Sequence, residues 1–310
     1  MTGIVSVRDL TKRYGDFAAV DGVSFEIDEG QLVAVLGPNG AGKTTALEIL
    51  EGFSEPTSGH VRVLGDDPLH GGRAWRAQVG LVLQSTSLET EPTVVDLLRV
   101  FGRLYPNPRP VAEVLELIDL ADDARTRVGT LSGGQQRRVD LGLAIIGNPD
   151  VLFLDEPTTG LDPEARRRCW ASVERLNDAG TTILLTTHYL DEADHLADRV
   201  MVLSAGRLVA DTTPAAMRAS GGRSAIRFPL PVEAPDLPPS LAVHVTDRVL
   251  SLHTDRIEPV LADLLAWAQH HRLELTALEV GPPSLEEAYL SITRTPVDSE
   301  PHHALFTSHV

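Results

Sequence analysis

The sequence offers almost nothing to cross-link. Cys169 is its one cysteine in 310 residues, which excludes an internal disulfide and leaves no thiolate cluster for zinc or an iron–sulfur centre. It falls in a helical pattern after Asp162-Pro163, where packing is the expected role. Positive charge is also scarce: Lys and Arg total 27 against 44 Asp and Glu, for a formal net charge of -17. That balance opposes sequence-independent attraction to nucleic-acid backbones and anionic lipid surfaces, both of which gain affinity from cationic groups. No nucleic-acid partner is expected. No apolar run reaches the roughly 18 residues of a spanning helix, and no basic, apolar, small-residue leader is visible. The expectation is a cytosolic chain. Histidines are scattered apart from His270-His271 and His302-His303, which lack the carboxylate neighbours of a metal site. Core-forming residues are in ordinary supply, 42% hydrophobic against 23% charged, so the chain is globular. Its length suits one large domain, or a large and a small one.

Two strand-like segments, Ile4 to Leu10 and Val23 to Ile27, are separated by turn signals at Gly15 and Asp21-Gly22. From Leu32 to about Ser204, short apolar runs alternate with helical stretches: Leu81-Val82-Leu83, Val151 to Leu154, Ile183 to Leu185 and Val200 to Leu203. That alternation predicts an α/β fold with a largely parallel sheet wrapped by helices. Residues from about 85 to 147 read as a helical insertion, broken at Pro106, Pro108 and Pro110. A domain boundary is placed near Ser220-Gly221-Gly222, so that the first domain spans 1–218. A linker over 219–240 follows, stiffened by Pro229, Pro231, Pro235, Pro238 and Pro239. A small α+β module is expected over 241–294, with a start as early as 222 left open: a hairpin over Leu241 to His253, a helix over Ile257 to His271, and alternation over Leu273 to Val280. Residues 295–310 read as a disordered tail.

The most informative stretch is Gly37-Pro38-Asn39-Gly40-Ala41-Gly42-Lys43-Thr44, followed by Thr45. Its spacing is that of a phosphate loop. The apolar run Leu32 to Leu36 supplies a buried strand before it, and Thr44 to Leu50 a helix after it. Loop N–H groups and the helix N-terminus can face phosphate oxygens, and side chains at Gly40 or Gly42 would crowd that approach. Lys43 is then expected to bridge the β- and γ-phosphates, and Thr44 to bind Mg²⁺.

A second anion-binding helix start is Leu131-Ser132-Gly133-Gly134-Gln135. Ser132 is a good N-cap, but two glycines in a first turn each cost up to about 1 kcal/mol relative to alanine. Close approach of an anion explains them, and close helix packing is the alternative. Val151 to Leu154 runs into Asp155-Glu156, placing two carboxylates at a strand's C-terminal edge, where parallel sheets bind ligands. Asp155 suits Mg²⁺, and Glu156 suits a base for the attacking water. His188 ends the next strand and could bond the γ-phosphate, while Gln84, after Leu81-Val82-Leu83, could reach Mg²⁺ or the water.

In this order, the residues resemble the ATP-binding cassette (ABC) ATPases over about residues 2–218. The resemblance implies a P-loop NTPase cassette with a RecA-like core, an antiparallel β subdomain and a helical subdomain, joined here to the small α+β C-terminal domain. It assigns Walker A to Gly37 through Thr45, the Q-loop to Gln84, the signature to Leu131 through Gln135, and Walker B to Val151 through Asp155. Glu156 stands at the catalytic glutamate, Asp162 in the D-loop Gly160-Leu161-Asp162, His188 at the switch histidine, and Tyr14 at the aromatic that stacks on adenine. It further implies ATP and Mg²⁺ as cofactors and a dimer with a second copy, or with a related cassette, around two ATP. A separate membrane permease would hold the chain at the cytoplasmic face of the membrane. The insertion's Val94, Val95, Leu97, Leu98, Val100 and Phe101 then either dock that permease or form the insertion's own core. The cassette most resembles the daunorubicin-resistance type that serves ABC-2 permeases, which implies export of a drug, antibiotic or lipid-like compound. An importer ATPase, or a soluble ABC ATPase that moves no solute, stays open.

Overall fold

The computed structural model describes residues 3–84, 88–220, 224–229, 243–246, 249–254, 256–281 and 283–294. The chain divides into two compact units between Ala216 and Met217. The first unit opens with β1 (Val5–Tyr14) and β2 (Phe17–Ile27), passes through β3 (Leu32–Leu36) and α1 (Lys43–Leu50), and returns as β4 (Ser58–Val63). Strands β1, β2 and β4 form an antiparallel sheet in the order β2-β1-β4. Val5, Val7 and Leu10 are buried on β1 while Arg8 and Asp9 are exposed, as expected of a sheet with one face in water.

The chain continues through α2 (Arg73–Arg76), β5 (Val79–Val82), α3 (Val94–Gly102), α4 (Val111–Leu117) and α5 (Gly133–Ile145). It then alternates regularly: β6 (Val151–Asp155), α6 (Pro163–Asp178), β7 (Thr182–Thr187), α7 (Leu190–Leu196), β8 (Arg199–Ser204), β9 (Arg207–Thr212) and α8 (Pro214–Ser220). The second sheet has the order β5-β6-β7-β3-β8-β9, with all pairs parallel except β8 with β9. Every residue of β3, β6 and β7 is buried, as apolar runs covered on both faces require. Placing β3 between β7 and β8 brings the C-terminal ends of β3, β6 and β7 to one edge.

One buried cluster joins Val5, Leu10 and Val23 of the first sheet to Val35, Phe153, Leu184 and Met201 of the second, with Leu47, Ile49 and Leu50 of α1 among them. The phosphate-loop helix is therefore held by apolar side chains from both sheets. In the insertion, Val94, Leu97 and Leu98 are buried, and a Cβ at Gly142 of α5 would lie 2.8 Å from Ile118 and 3.3 Å from Leu98. These three side chains fill the insertion's own core, while Val95 and Phe101 of the expected docking set are half-buried and Val100 is 56% exposed.

The second unit contains β10 (Ser224–Pro229), β11 (Val243–Thr246), β12 (Val249–Thr254), α9 (Ile257–His270), β13 (Glu279–Gly281) and α10 (Leu285–Arg294). Its antiparallel sheet has the order β11-β12-β10-β13, and Ile226, Phe228, Leu250, Leu252, Leu264, Trp267 and Ala268 form its core. β10 lies within the segment read as linker. Ile226 and Phe228 alternate into the core, and Pro229 closes the strand opposite Val249. Proline density obscured that period of two. The rest of the linker, with Pro231, Pro235, Pro238 and Pro239, and the tail at 295–310 lie outside the described residues. Among the described residues no helix is long and apolar enough to cross a membrane.

Candidate nucleotide site

The loop between β3 and α1 is shaped by its glycines. Gly40 and Gly42 have φ of 79° and 101°, and a Cβ on Gly42 would lie 2.2 Å from the carbonyl oxygen of Ala19. Glycine alone fits there. Gly42 caps α1 without a side-chain hydrogen bond, so the N–H groups of the first turn keep no side-chain acceptor and suit an anion. Lys43 is buried, and its Nζ donates to the oxygens of Gly37 at 2.8 Å and Pro38 at 3.2 Å. The ammonium thus lies across its own loop. Burial lowers its pKa, and the carboxylates of Glu156 and Asp155 pull it back up.

At the end of β6, Asp155 accepts from Thr44 Oγ1 at 3.4 Å through Oδ2 and from Thr186 Oγ1 through Oδ1. Thr44 and Asp155 thereby bring two oxygen donors together at the mouth of the loop. Such hard donors suit Mg²⁺. Glu156 has φ of 45°, a conformation rare for a non-glycine residue, and its N–H donates to the carbonyl and to the hydroxyl of Thr186, both at 3.1 Å. This turn points the carboxylate towards three partners. Gln84 Nε2 donates to Oε2 at 3.3 Å, Thr159 Oγ1 donates to the same oxygen at 3.1 Å, and His188 Nδ1 lies 3.3 Å from Oε1. The structure therefore brings Lys43, Thr44, Gln84, Asp155, Glu156 and His188 into one connected group.

The serine–diglycine helix start is a separate feature. Ser132 and Gln135 form a reciprocal capping box: Gln135 N–H donates to Ser132 Oγ at 3.3 Å and Ser132 N–H to Gln135 Oε1 at 3.0 Å. Gln135 Nε2 donates to Asp123, so this side chain braces the helix start. The two glycines differ. A Cβ at Gly134 would lie 2.6 Å from Ala165 Cβ of α6, whereas one at Gly133 meets nothing within 4 Å. Close helix packing accounts for Gly134, and Gly133 leaves bare backbone facing open space. Among the described residues, no hydrogen bond joins 132–135 to 37–45.

Asp162 caps α6, accepting from the N–H groups of Glu164 and Ala165, each at 2.9 Å. Tyr14 is not core: it ends β1 with 53% of its surface exposed and the Lys12 ammonium 5.2 Å from its ring centre. An exposed ring at that place is free to stack. Thr186, on β7, and Thr159, in the turn after β6, hold the two carboxylates, yet threonines in such positions carry no spacing signal in the sequence. The sequence reading also passed over Glu192 of α7, fully buried, which accepts from Thr158 Oγ1 at 2.8 Å and Trp170 Nε1 at 2.9 Å. Burial raises the pKa of Glu192, while hydrogen bonds from Thr187, Thr158 and Trp170 oppose the shift. Arg137 was missed as well, although its guanidinium reaches Leu83, Asp155, Glu156 and Pro157.

Comparison with known proteins agrees with this geometry. Residues 20–159 match the ABC transporter family, and residues 224–284 match the C-terminal domain of ABC transporter domain-containing protein-like sequences. The chain is 41% identical to daunorubicin resistance ATP-binding protein DrrA3 of Streptomyces coeruleorubidus, over 93% of this chain and 95% of that one. It is 38% identical to Nod factor export ATP-binding protein I of Burkholderia lata, over 93% of this chain and 96% of the relative. Among solved structures it is similar to cbiO1 from Clostridium perfringens, part of the ABC transporter complex cbiONQ, with a TM-score of 0.64, 27% identity, and coverage of 71% of this chain and 92% of that one. A dimeric post-hydrolysis state of the cassette MJ0796, bound to ADP and Pi, gives a TM-score of 0.59 and 26% identity, covering 67% of this chain and 98% of that one. By these matches, the chain belongs to the ATP-binding subunits of ABC transporters and is an ATPase of that family.

Proposed function

We propose that two copies of this chain close around two ATP and drive a separate ABC-2 type permease that exports a drug-, antibiotic- or lipid-like compound. The observation that carries the dimer is that one chain holds a lysine loop and a distant-in-sequence serine–diglycine helix start with no bond between them. Each suits a polyphosphate, and pairing two chains head to tail completes both sites. The dimeric ADP- and Pi-bound relative supports this reading. The export reading is supported by relatives named for daunorubicin resistance and for Nod factor export.

In the proposed reaction, the loop N–H groups and Lys43 bind the β- and γ-phosphates, and exposed Tyr14 stacks on adenine. Thr44 and Asp155, with the Gln84 side-chain oxygen, would hold Mg²⁺, which neutralises phosphate charge. Glu156 orients the attacking water and takes its proton. At present Gln84 and Thr159 occupy Oε2 of Glu156, so turning Gln84 towards the metal site frees an acceptor for that water. His188, tied to Oε1, keeps the carboxylate aimed and offers its other ring nitrogen to the γ-phosphate. Ser132 accepts from its own helix but keeps its O–H as a donor, and with Gly133 it would cap the ATP held by the partner copy.

Transport is tested in inside-out membrane vesicles carrying the chain co-expressed with an ABC-2 type permease. ATP-dependent uptake of daunorubicin, lost with Lys43→Ala, is the expected result. Daunorubicin is the probe because of the relatives' names. ATP hydrolysis without uptake of it or of other amphipathic drugs would contradict the exporter reading.

A further inference from the structure

The side chain that joins the serine–diglycine helix to the reacting edge of the sheet is Arg137. It sits just beyond Gln135 on α5 and is 12% exposed. Its Nη1 donates to the Leu83 oxygen at 2.7 Å, and its Nε to the Pro157 oxygen at 2.8 Å. Nη2 reaches the oxygens of Asp155 at 3.2 Å and Glu156 at 3.4 Å, and Asp140 lies 3.7 Å from Nη1. One planar, permanently charged fork therefore holds four carbonyls. Leu83 is the residue before Gln84, and the other three carbonyls belong to the turn that aims Asp155 and Glu156. A shift of the first turns of α5 must either carry this backbone with it or break charge-assisted hydrogen bonds.

We propose that Arg137 is a positioning residue that transmits occupancy at Ser132 and Gly133 to the geometry of Gln84 and Glu156 in the same chain. The inference rests on the dimer reading, since the nucleotide at Ser132 is the one bound by the partner's lysine loop. Filling one site then helps to set the base of the other, and the two ATP are hydrolysed cooperatively. Arg138 supplies an internal control. Its side chain is less exposed still, at 4% against 12%, but it bonds Asp119 at 3.1 Å, which lies just past the end of α4 and inside the insertion. Arg138 therefore holds the insertion together, while Arg137 ties it to the sheet edge.

The test compares Arg137→Gln, Arg137→Lys and Arg138→Gln in the full chain. Hydrolysis is followed against ATP concentration, binding is read with a fluorescent ATP analogue, and folding with the thermal midpoint. Arg137→Gln is expected to bind nucleotide within about twofold of the parent while kcat falls about tenfold or more at little-changed KM. Its Hill coefficient should drop to unity. Arg137→Lys keeps the charge but not the fork, so it should recover part of kcat; if the Gln variant fails to fold, the Lys variant carries the same comparison. Arg138→Gln should lower the thermal midpoint and retain cooperativity. Parental kcat and Hill coefficient in the Arg137 variants would overturn the proposal, as would an equal loss of cooperativity in Arg138→Gln. Failure of Glu156→Gln alone to dimerise with ATP would sink the dimer reading instead. In that case the kcat-against-KM split of Arg137→Gln still decides whether Arg137 sets Glu156.

Discussion

Gly133 and Gly134 are neighbours in sequence with different reasons to lack a side chain. Alanine at 134 drives its Cβ into Ala165 and should cost about 1–3 kcal/mol as overpacking. Alanine at 133 meets open space and improves helix propensity by up to about 1 kcal/mol. If Gly133 is kept bare for a phosphate, Gly133→Ala should hold or raise the thermal midpoint yet reduce ATP hydrolysis. Denaturation curves beside steady-state ATPase rates check the pair. Full activity in a well-folded Gly133→Ala protein would remove the anion from the explanation. At this scale much of the site is legible in sequence, because Gly37 through Thr45, Asp155-Glu156 and Ser132 through Gln135 act through local spacing. Arg137 is not legible, since its partners are carbonyls 18 to 54 residues away and any side chain there leaves their backbone present.

Among the elements, α1 carries both the phosphate loop and an unusual end. Glu51 caps its C-terminus, is 5% exposed, and has a pKa raised to about 8, first by burial and then by Asp155 and Glu48. The partial negative charge of a helix C-terminus adds to the same effect. In the folded chain the carboxyl keeps its proton to about 8, whereas in the unfolded chain it ionises near the ordinary 4.5. The native state therefore binds more protons across that window, and Glu51 lowers stability as pH rises through it. Glu51→Gln should leave stability little changed at pH about 4.5 and raise it by roughly 2–4 kcal/mol at pH about 8. Urea unfolding of both proteins across that range measures the difference, and a pH-independent difference would contradict the assignment. Element type followed the apolar pattern well where strands are buried on both faces, as in β3, β6 and β7. That pattern left β10 unassigned, between a linker over 219–240 and a small domain starting near 222, because prolines beside Ile226 and Phe228 resemble a linker; cross-strand pairing with β12 and β13 identifies the strand.

For the whole molecule, the alternation of strands and helices predicted the parallel sheet, but its order was not legible. That β3 lies between β7 and β8 depends on crossovers that no local pattern records. This order is what gathers Lys43, Asp155, Glu156 and His188 at one edge. A net charge of -17 means that two copies repel each other at long range, which opposes association unless short-range contacts or a shared ligand offset it. The central claim is that magnesium ATP is that shared ligand, gripped by the lysine loop of one chain and the serine–diglycine helix start of the other. Sedimentation velocity of Glu156→Gln tests it most directly, because under the proposed mechanism losing this carboxylate preserves binding and stops the reaction that reopens the pair. The account predicts a monomer without nucleotide or with ADP and a dimer with magnesium ATP, abolished by adding Ser132→Arg. A Glu156→Gln protein that binds ATP and sediments as a monomer throughout would contradict it.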